Sequence, residues 1–432
     1  MSLLEELSEQ IRKRTAEVGV IALGKMGLPT AVAFAKAGFQ VRGVDTNPAV
    51  IEAVRSGRSP YPEPGLEEAL REVADRIDVS TDYRVLKGCS IIVNIVPTGL
   101  DSRRNPDYSG IGSSFKEAAK LASKPMLAVL ESNVAPGVTE AIAMPAIESE
   151  GLAHGIDYLM AYVPIHGKAG RIMKDLYTYP RVVGGYTSEA AEAAELLFKE
   201  VFQVEVYRAS SMAAAEASKV LGNVFRDINI AIANELAVYC MLKGLDAREV
   251  FKLASIVPTV SFLSPGPGVG GNCLPQDPYF IIKDSESQGF SLQLVKAARE
   301  VNERMPMFIA ELAASLAPRG AQIAVLGLAY RGDVAETAFS PAIEVCKALA
   351  KMGFKVKAYD PYVDTVSLPG VEVAGSMAEA VEGAEVIVVA TAHSEFRRSL
   401  RDLINRIAGR KATVLDAVGV IEGPLKVSLV RV

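Results

Sequence analysis

Residues Glu17-Val18-Gly19-Val20-Ile21-Ala22-Leu23 run straight into Gly24-Lys25-Met26-Gly27-Leu28-Pro29. An apolar run of strand length thus meets a glycine-bearing turn. Thr30 to Ala37 then has helical character, Gly38 makes a turn, and Phe39 to Val44 is a second apolar run ending in Asp45. Strand, glycine turn, helix, strand and acid form the unit that sets a pyrophosphate on a helix N-terminus and an acid near the ribose hydroxyls. Asp45 lies about 20 residues past the glycines, as that fingerprint requires, and an acid there favours NAD over NADP. NAD is therefore the expected cofactor, with Leu23, Gly24, Lys25, Met26, Gly27 and Asp45 as its candidate contacts. The usual first glycine is Ala22 here, which is accommodated if its φ stays negative. A glycine fingerprint by itself is weak; the alternative is a plain α/β domain.

Working outward, strand-like runs recur at Ser90 to Val96, Met126 to Leu130, Tyr158 to Ala161 and Arg181 to Val183. Helical stretches separate them, so the expected sheet is parallel and doubly wound. Two strand ends carry polar groups where such sheets bind ligands, at Pro97-Thr98 and Ser132-Asn133. Ordinary turn chemistry explains these four residues equally well. A second unit of the same kind begins after Ala317-Pro318-Arg319-Gly320. There Gln322 to Gly327 reads as a strand, Pro341 to Met352 as a helix, and Lys355 to Tyr359 as the next strand, ending in Asp360. Ala37-Gly38-Phe39-Gln40-Val41 is echoed by Met352-Gly353-Phe354-Lys355-Val356. The expected fold is α/β, with two Rossmann-like doubly wound domains (residues 1–208 and 318–432) joined through a central helical region, 209–317.

That central region opens with a stretch from Ser210 to Gly244 that has no proline and one internal glycine, Gly222. As a helix it would run on the order of 50 Å. Its apolar residues exceed the needs of one face, which suits a dimer contact. Lys219 and Asn223 share a face, with Arg226 a turn further on; a lysine in an apolar segment also reads as a snorkelling surface residue. Downstream, Pro265-Gly266-Pro267-Gly268-Val269-Gly270-Gly271-Asn272-Cys273 is nearly free of side chains and leads into Asp277. Such a loop lets backbone approach a ligand and offers N–H groups to anionic oxygens, with Cys273 delivered beside it. The other reading is a flexible surface loop with an incidental cysteine.

Composition bounds the rest. The chain has 432 residues, half of them hydrophobic, enough for several cores. A formal charge of −5 gives no bulk attraction to nucleic acid or an acidic membrane. Four scattered cysteines lack the spacing of a metal site or a disulfide framework. Met1 to Arg14 alternates acids and bases, unlike a secretion signal, and no apolar run is long enough to span a bilayer. A cytoplasmic protein is expected.

These residues carry a resemblance that extends almost end to end. Gly24 to Pro29, Glu63-Pro64-Gly65-Leu66, Val96-Pro97-Thr98, Asn223-Val224-Phe225-Arg226-Asp227-Ile228-Asn229, Asn234-Glu235-Leu236, Pro265 to Asp277, Gly327-Leu328-Ala329-Tyr330 and Ser340-Pro341 all contribute. The chain resembles the UDP-glucose/GDP-mannose dehydrogenase family, and most its UDP-N-acetylhexosamine branch. That resemblance implies a four-electron oxidation of a UDP-sugar at C6, using NAD twice, by a homodimer or higher homo-oligomer. It gives Lys219 and Asn223 the developing alkoxide, Cys273 the aldehyde as thiohemiacetal and then thioester, and Asp277 the hydrolytic water. It also implies sugar-nucleotide contacts from Arg226, Ser264, Gly266, Gly268, Gly270, Gly271, Tyr330 and Arg331.

Several positions depart from the family pattern. Ile165 stands where a glutamate associated with thioester hydrolysis is usual, with His166 next to it, and Asn133 replaces a threonine. Thr259, Ala338 and Val418 stand where arginines face the sugar nucleotide, and losing one charge-assisted contact typically costs ~1.5–3 kcal/mol. Arg331, Lys168 and Arg171 are candidates to compensate. Three readings follow: an active UDP-N-acetylhexosamine 6-dehydrogenase; an enzyme for UDP-glucose or another nucleotide sugar, or one stalled before acid release; and a catalytically silent nucleotide-binding protein.

Overall fold

The apolar runs become the central strands of two separate sheets. The computed structural model describes residues 2–363, 366–406 and 412–432. By internal packing the chain forms two units: one holds Met1–Leu221 with Tyr279–Ser287, the other Gly222–Pro278 with Gln288–Val432.

In the first unit the strands are β1 (Glu17–Ile21), β2 (Gln40–Val44), β3 (Ile77–Ser80), β4 (Ile91–Asn94), β5 (Gly99–Leu100), β6 (Pro106–Asp107), β7 (Met126–Leu130), β8 (Tyr158–Tyr162), β9 (Arg181–Gly185) and β10 (Val206–Arg208). β5 and β6 pair as a small hairpin; the other eight form one sheet in the order β10-β9-β8-β7-β4-β1-β2-β3. Every residue of β4, β7 and β8 is buried, the pattern of strands covered on both faces. The helix Gly27–Lys36 is buried along nearly its whole length because its alanines, Val32 and Phe34 pack between sheet and outer helices.

Two expectations need correction. The sheet is not wholly parallel, because β9 runs antiparallel to β8. The segment between them contains only the short helix Ile172–Asp175, not the long crossover helix that usually returns a chain parallel to itself. Nor does Ala22 keep a negative φ; it sits at +71°. The turn holds the left-handed shape a glycine would take there, which aims the Ala22 carbonyl at Gly27. A Cβ on Gly27 would lie 1.8 Å from that oxygen.

The second unit's strands are β11 (Gln322–Leu326), β12 (Lys355–Tyr359), β13 (Val371–Val373), β14 (Val386–Val389), β15 (Thr413–Asp416) and β16 (Ser428–Arg431), ordered β13-β12-β11-β14-β15-β16 and all parallel. The helix Gln293–Ser315 packs along Pro341–Lys351. Ala233, Ala237 and Cys240 of the long helix Met212–Leu242 join Met305, Ile309 and Ala313 in this unit's core. That 31-residue helix is the one expected between Ser210 and Gly244, and it continues from the first unit into the second. Among the described residues no helix is long and apolar enough to cross a membrane.

The conformation of Ala22 makes a stability prediction. A left-handed alanine costs roughly 1–2 kcal/mol, partly offset by the greater unfolded-state entropy of glycine. Ala22→Gly is expected to stabilise the protein by about 0.5–1 kcal/mol in chemical denaturation; a loss of stability would contradict the strain.

Candidate active site

The turn after β1 fits a dinucleotide. Asp45 at the end of β2 accepts from the Leu23 N–H at 2.8 Å with one oxygen and from the Asn47 N–H at 2.8 Å with the other. The helix from Gly27 begins without a side-chain cap; the Leu28 N–H donates to the Gly24 carbonyl at 3.0 Å and Pro29 has none, so what this end offers an anion is chiefly its dipole. Gly24 has open space where a side chain would stand. The two glycines thus differ in purpose: Gly27 lets the helix touch the turn, and Gly24 keeps the approach clear.

The neighbouring strand ends are tied together. Thr98 Oγ1 donates to the Asn133 carbonyl at 2.8 Å, and Ser132 Oγ donates to the Val96 carbonyl at 2.7 Å. The loop beyond them is held by Glu216 of the long helix, which accepts from the Gly137 and Thr139 N–H groups at 2.5 and 2.8 Å. Burial raises the Glu216 pKa. Sequence reasoning missed Glu216; its signal was a lone acid among alanines, three residues before Lys219.

Lys219 is no snorkelling lysine. Its Nζ is half-buried and donates to the Ile165 carbonyl at 2.7 Å. Ile165 is buried. Beside it, the His166 Nδ1 is buried without a hydrogen bond, and burial, with Lys219 and Arg181 adding to it, pushes the imidazole pKa down to about 3. Behind lies a second feature the sequence did not reveal. Glu131 is fully buried at the end of β7, 3.9 Å from the guanidinium of Arg181, which lies over the Phe202 ring at 4.4 Å. Burial raises the Glu131 carboxyl to about 7, against the pull of Arg181. The exposed Lys168 and Arg171 belong to a loop organised by two buried acids. Asp175 accepts from the Lys168 N–H, and Glu63 from the Gly170 N–H.

In the second unit, Tyr330 is the point around which the candidate residues gather. Its pKa is raised, first by burial, and it feels the charges of Arg331, Glu336, Cys273 and Arg226. The glycine loop rests on it: a Cβ on Gly270 would fall 2.6 Å from Tyr330 Cβ, and one on Gly271 3.0 Å from its ring. The Gly271 N–H donates to the Ala338 carbonyl at 2.9 Å. These two glycines are therefore required by protein packing, whatever else their backbone contacts. Of the four cysteines only Cys273 is exposed. Asn223 Nδ2 donates to Asp277 Oδ2 at 2.6 Å, with both side chains buried. Ser264 and Arg226 are exposed. Among the described residues no cluster of three or more His, Cys, Asp and Glu is arranged to hold a metal ion.

The second Rossmann-like turn differs from the first. Asp360 Oδ2, at the end of β12, accepts from both the Leu328 and Ala329 N–H groups at 2.6 and 2.8 Å, and His393 Nε2 meets the same oxygen at 3.0 Å. Thr391 Oγ1 donates to the Ala329 carbonyl at 2.7 Å. This turn is closed by its own side chains.

Comparison with known proteins finds a match for both Rossmann-like regions and for the region between them. Residues 16–202 match the NAD binding domain of the UDP-glucose/GDP-mannose dehydrogenase family, 213–304 its central domain and 324–423 its UDP binding domain. The chain belongs to the UDP-glucose/GDP-mannose dehydrogenase family. It is an NAD-dependent nucleotide-sugar dehydrogenase. Over 415 residues it is 35% identical to a UDP-N-acetyl-D-mannosamine dehydrogenase of Pyrococcus horikoshii, covering 94% of this chain and 96% of that one. Two solved structures are similar. A UDP-N-acetyl-mannosamine dehydrogenase from S. aureus has a TM-score of 0.85 at 30% identity, with 96% and 98% of the two chains covered. A UDP-glucose dehydrogenase from Pyrobaculum islandicum has a TM-score of 0.86 at 26% identity, with 94% of each chain covered.

His166 supplies a pH prediction. Its folded pKa of about 3 lies below the ordinary 6.5, so below 6.5 the unfolded chain binds a proton that the folded chain refuses. The stability this group contributes is present above pH 6.5 and is lost as pH falls toward 3. His166→Asn should flatten the decline in denaturation midpoint between pH 7 and pH 4; an unchanged slope would place the imidazole in water.

Proposed function

We propose that this family member oxidises C6 of a UDP-sugar to the carboxylate, with UDP-N-acetyl-D-mannosamine as substrate and the corresponding mannosaminuronate as product. The observation that carries the reading is Cys273, the one exposed thiol of four, on a loop seated against Tyr330. The names of the most similar relatives support the sugar. NAD, when bound, accepts the hydride of each of the two oxidations. The chain's residues do the rest. Lys219 and Asn223 donate to the C6 oxygen as negative charge develops on it in the first oxidation. The Cys273 thiolate adds to the resulting aldehyde, forming a C–S bond and a thiohemiacetal whose oxidation gives a thioester. Water then breaks the C–S bond, releasing the acid and regenerating the thiol. In this scheme Asp277 orients that water, and the UDP moiety is met by Arg226, Ser264, Tyr330, Arg331 and the backbone of Gly266, Gly268, Gly270 and Gly271.

A second reading has one observation behind it. Ile165 is buried and apolar where the family places its hydrolytic glutamate, which favours an enzyme that stalls at the thioester. NADH counting separates the two: two NADH per sugar over many turnovers fits full oxidation, and a burst of about two per site followed by arrest fits the stalled form. Cys273→Ser should abolish uronate formation while NAD binding persists in calorimetry; undiminished uronate production by that variant would rule out the thioester route.

We also infer a homodimer built on the long helix. Phe225, Ile232, Leu236 and Tyr239 are exposed, and their spacing of seven, four and three residues lines one helix face. Phe225→Asp with Tyr239→Asp should convert the dimer to monomer in light scattering; an unchanged mass would move the interface elsewhere.

A further inference from the structure

The amides of the long helix do more than line a surface. Asn229 Nδ2 donates to the Ser261 carbonyl at 2.9 Å, and its Oδ1 accepts from the Leu263 N–H at 2.8 Å. Five residues on, Asn234 Oδ1 accepts from the Gly266 N–H at 2.9 Å. Asn234 Nδ2 in turn donates to Asn302 Oδ1 at 3.0 Å, and Asn302 Nδ2 donates to Asp227 Oδ1 at 2.9 Å. The Arg299 guanidinium closes the chain on Asp227 Oδ1 at 2.7 Å. Asn234, Asn302, Asp227 and Arg299 are all buried. At the far end of the same loop, Asn223 holds Asp277.

One helix therefore grips a single loop at its start, at Gly266 and at its end, and Cys273 lies between the grips. The loop needs them. A glycine-rich run loses more backbone freedom on ordering than any other composition, and few of its residues have side chains with which to anchor themselves. The grips of Asn229 and Asn234 join an amide to main-chain groups, so they fix where the backbone passes, while Asn223 holds the side chain of Asp277. Asparagine suits this because its short amide offers both a donor and an acceptor. A buried Arg–Asp pair adds little net stability over apolar packing, so its value here lies in setting the orientation of Asn302 and, through it, Asn234.

We propose that Asn229 and Asn234 are positioning residues for the Cys273 thiol, acting through the backbone of 261–266, with Asp227, Asn302 and Arg299 as the buried support that orients Asn234. The proposal rests on the reading of Cys273 as the reactive thiol, but its test does not depend on turnover. The rate at which iodoacetamide alkylates Cys273, read by mass spectrometry across pH 6 to 9, reports the placement and surroundings of the sulfur; the other three cysteines are buried. Asn229 is only half-buried, so Asn229→Ala tests the idea without opening the core, and Asn234→Ala tests it from inside. In Asn229→Ala the alkylation rate should change by about five-fold or more, and kcat for uronate should fall by about ten-fold or more, with NAD affinity unchanged. Asn229→Asp keeps the acceptor for Leu263 and should fall between. Alkylation rates and turnover within about two-fold of wild type in Asn229→Ala would overturn the proposal. Altered alkylation in a protein whose wild type makes no uronate would uphold the positioning and sink the catalytic reading instead.

Discussion

A parallel ladder makes every strand leave its sheet at the same edge, and the candidate cofactor contacts, with Tyr330 and Arg331, owe their place to that constraint. In the first unit β1, β2, β4, β7 and β8 run parallel. Leu23 to Gly27 follow β1, Asp45 follows β2, Pro97 and Thr98 follow β4, Ser132 and Asn133 follow β7, and Ile165 and His166 follow β8. The hydrogen bonds from Thr98 to Asn133 and from Ser132 to Val96 are consequences of two adjacent exits. The second unit repeats the rule with Gly327 to Arg331, Asp360, Thr391 to His393 and Val418. Side-chain chemistry differs between the two units; the delivery is the same.

Electrostatics then distinguishes the groups delivered. Burial is the main cause that drives Glu131 up to about 7 and, with Lys219 and Arg181 adding to it, His166 down to about 3. Both shifts favour the neutral form. Around Lys219 the protein thus offers a backbone carbonyl and an imidazole that stays uncharged across the physiological range. The family's usual carboxylate is missing from this surrounding, and Ile165 contributes its main chain instead.

Local patterns made the larger part of this architecture legible in the sequence. The glycine turn, the proline-free helix and the cysteine loop each announce themselves within a dozen or so residues. What stayed hidden depends on which strand lies beside which. Glu131 and Arg181 are fifty residues apart, and nothing local couples them until β7 and β9 flank β8. The reversal of β9 has no signature in its own composition. Ala22 misled because the rule for alanine is local, while the demand on its φ comes from Gly27 five residues later. Gly270 and Gly271 were read for a reason that is incomplete: the close neighbour demanding a bare Cα is Tyr330 and the segment after it. Asn229 and Asn234 stood in a motif whose residues were noticed before their partners could be.

The closed turn of the second unit sets apart two look-alike halves. Asp360 is seated on the Leu328 and Ala329 amides with His393 behind it, so those two N–H groups are already taken. In both halves the carboxylate that ends the second strand turns inward, Asp45 onto one amide of its turn and Asp360 onto two.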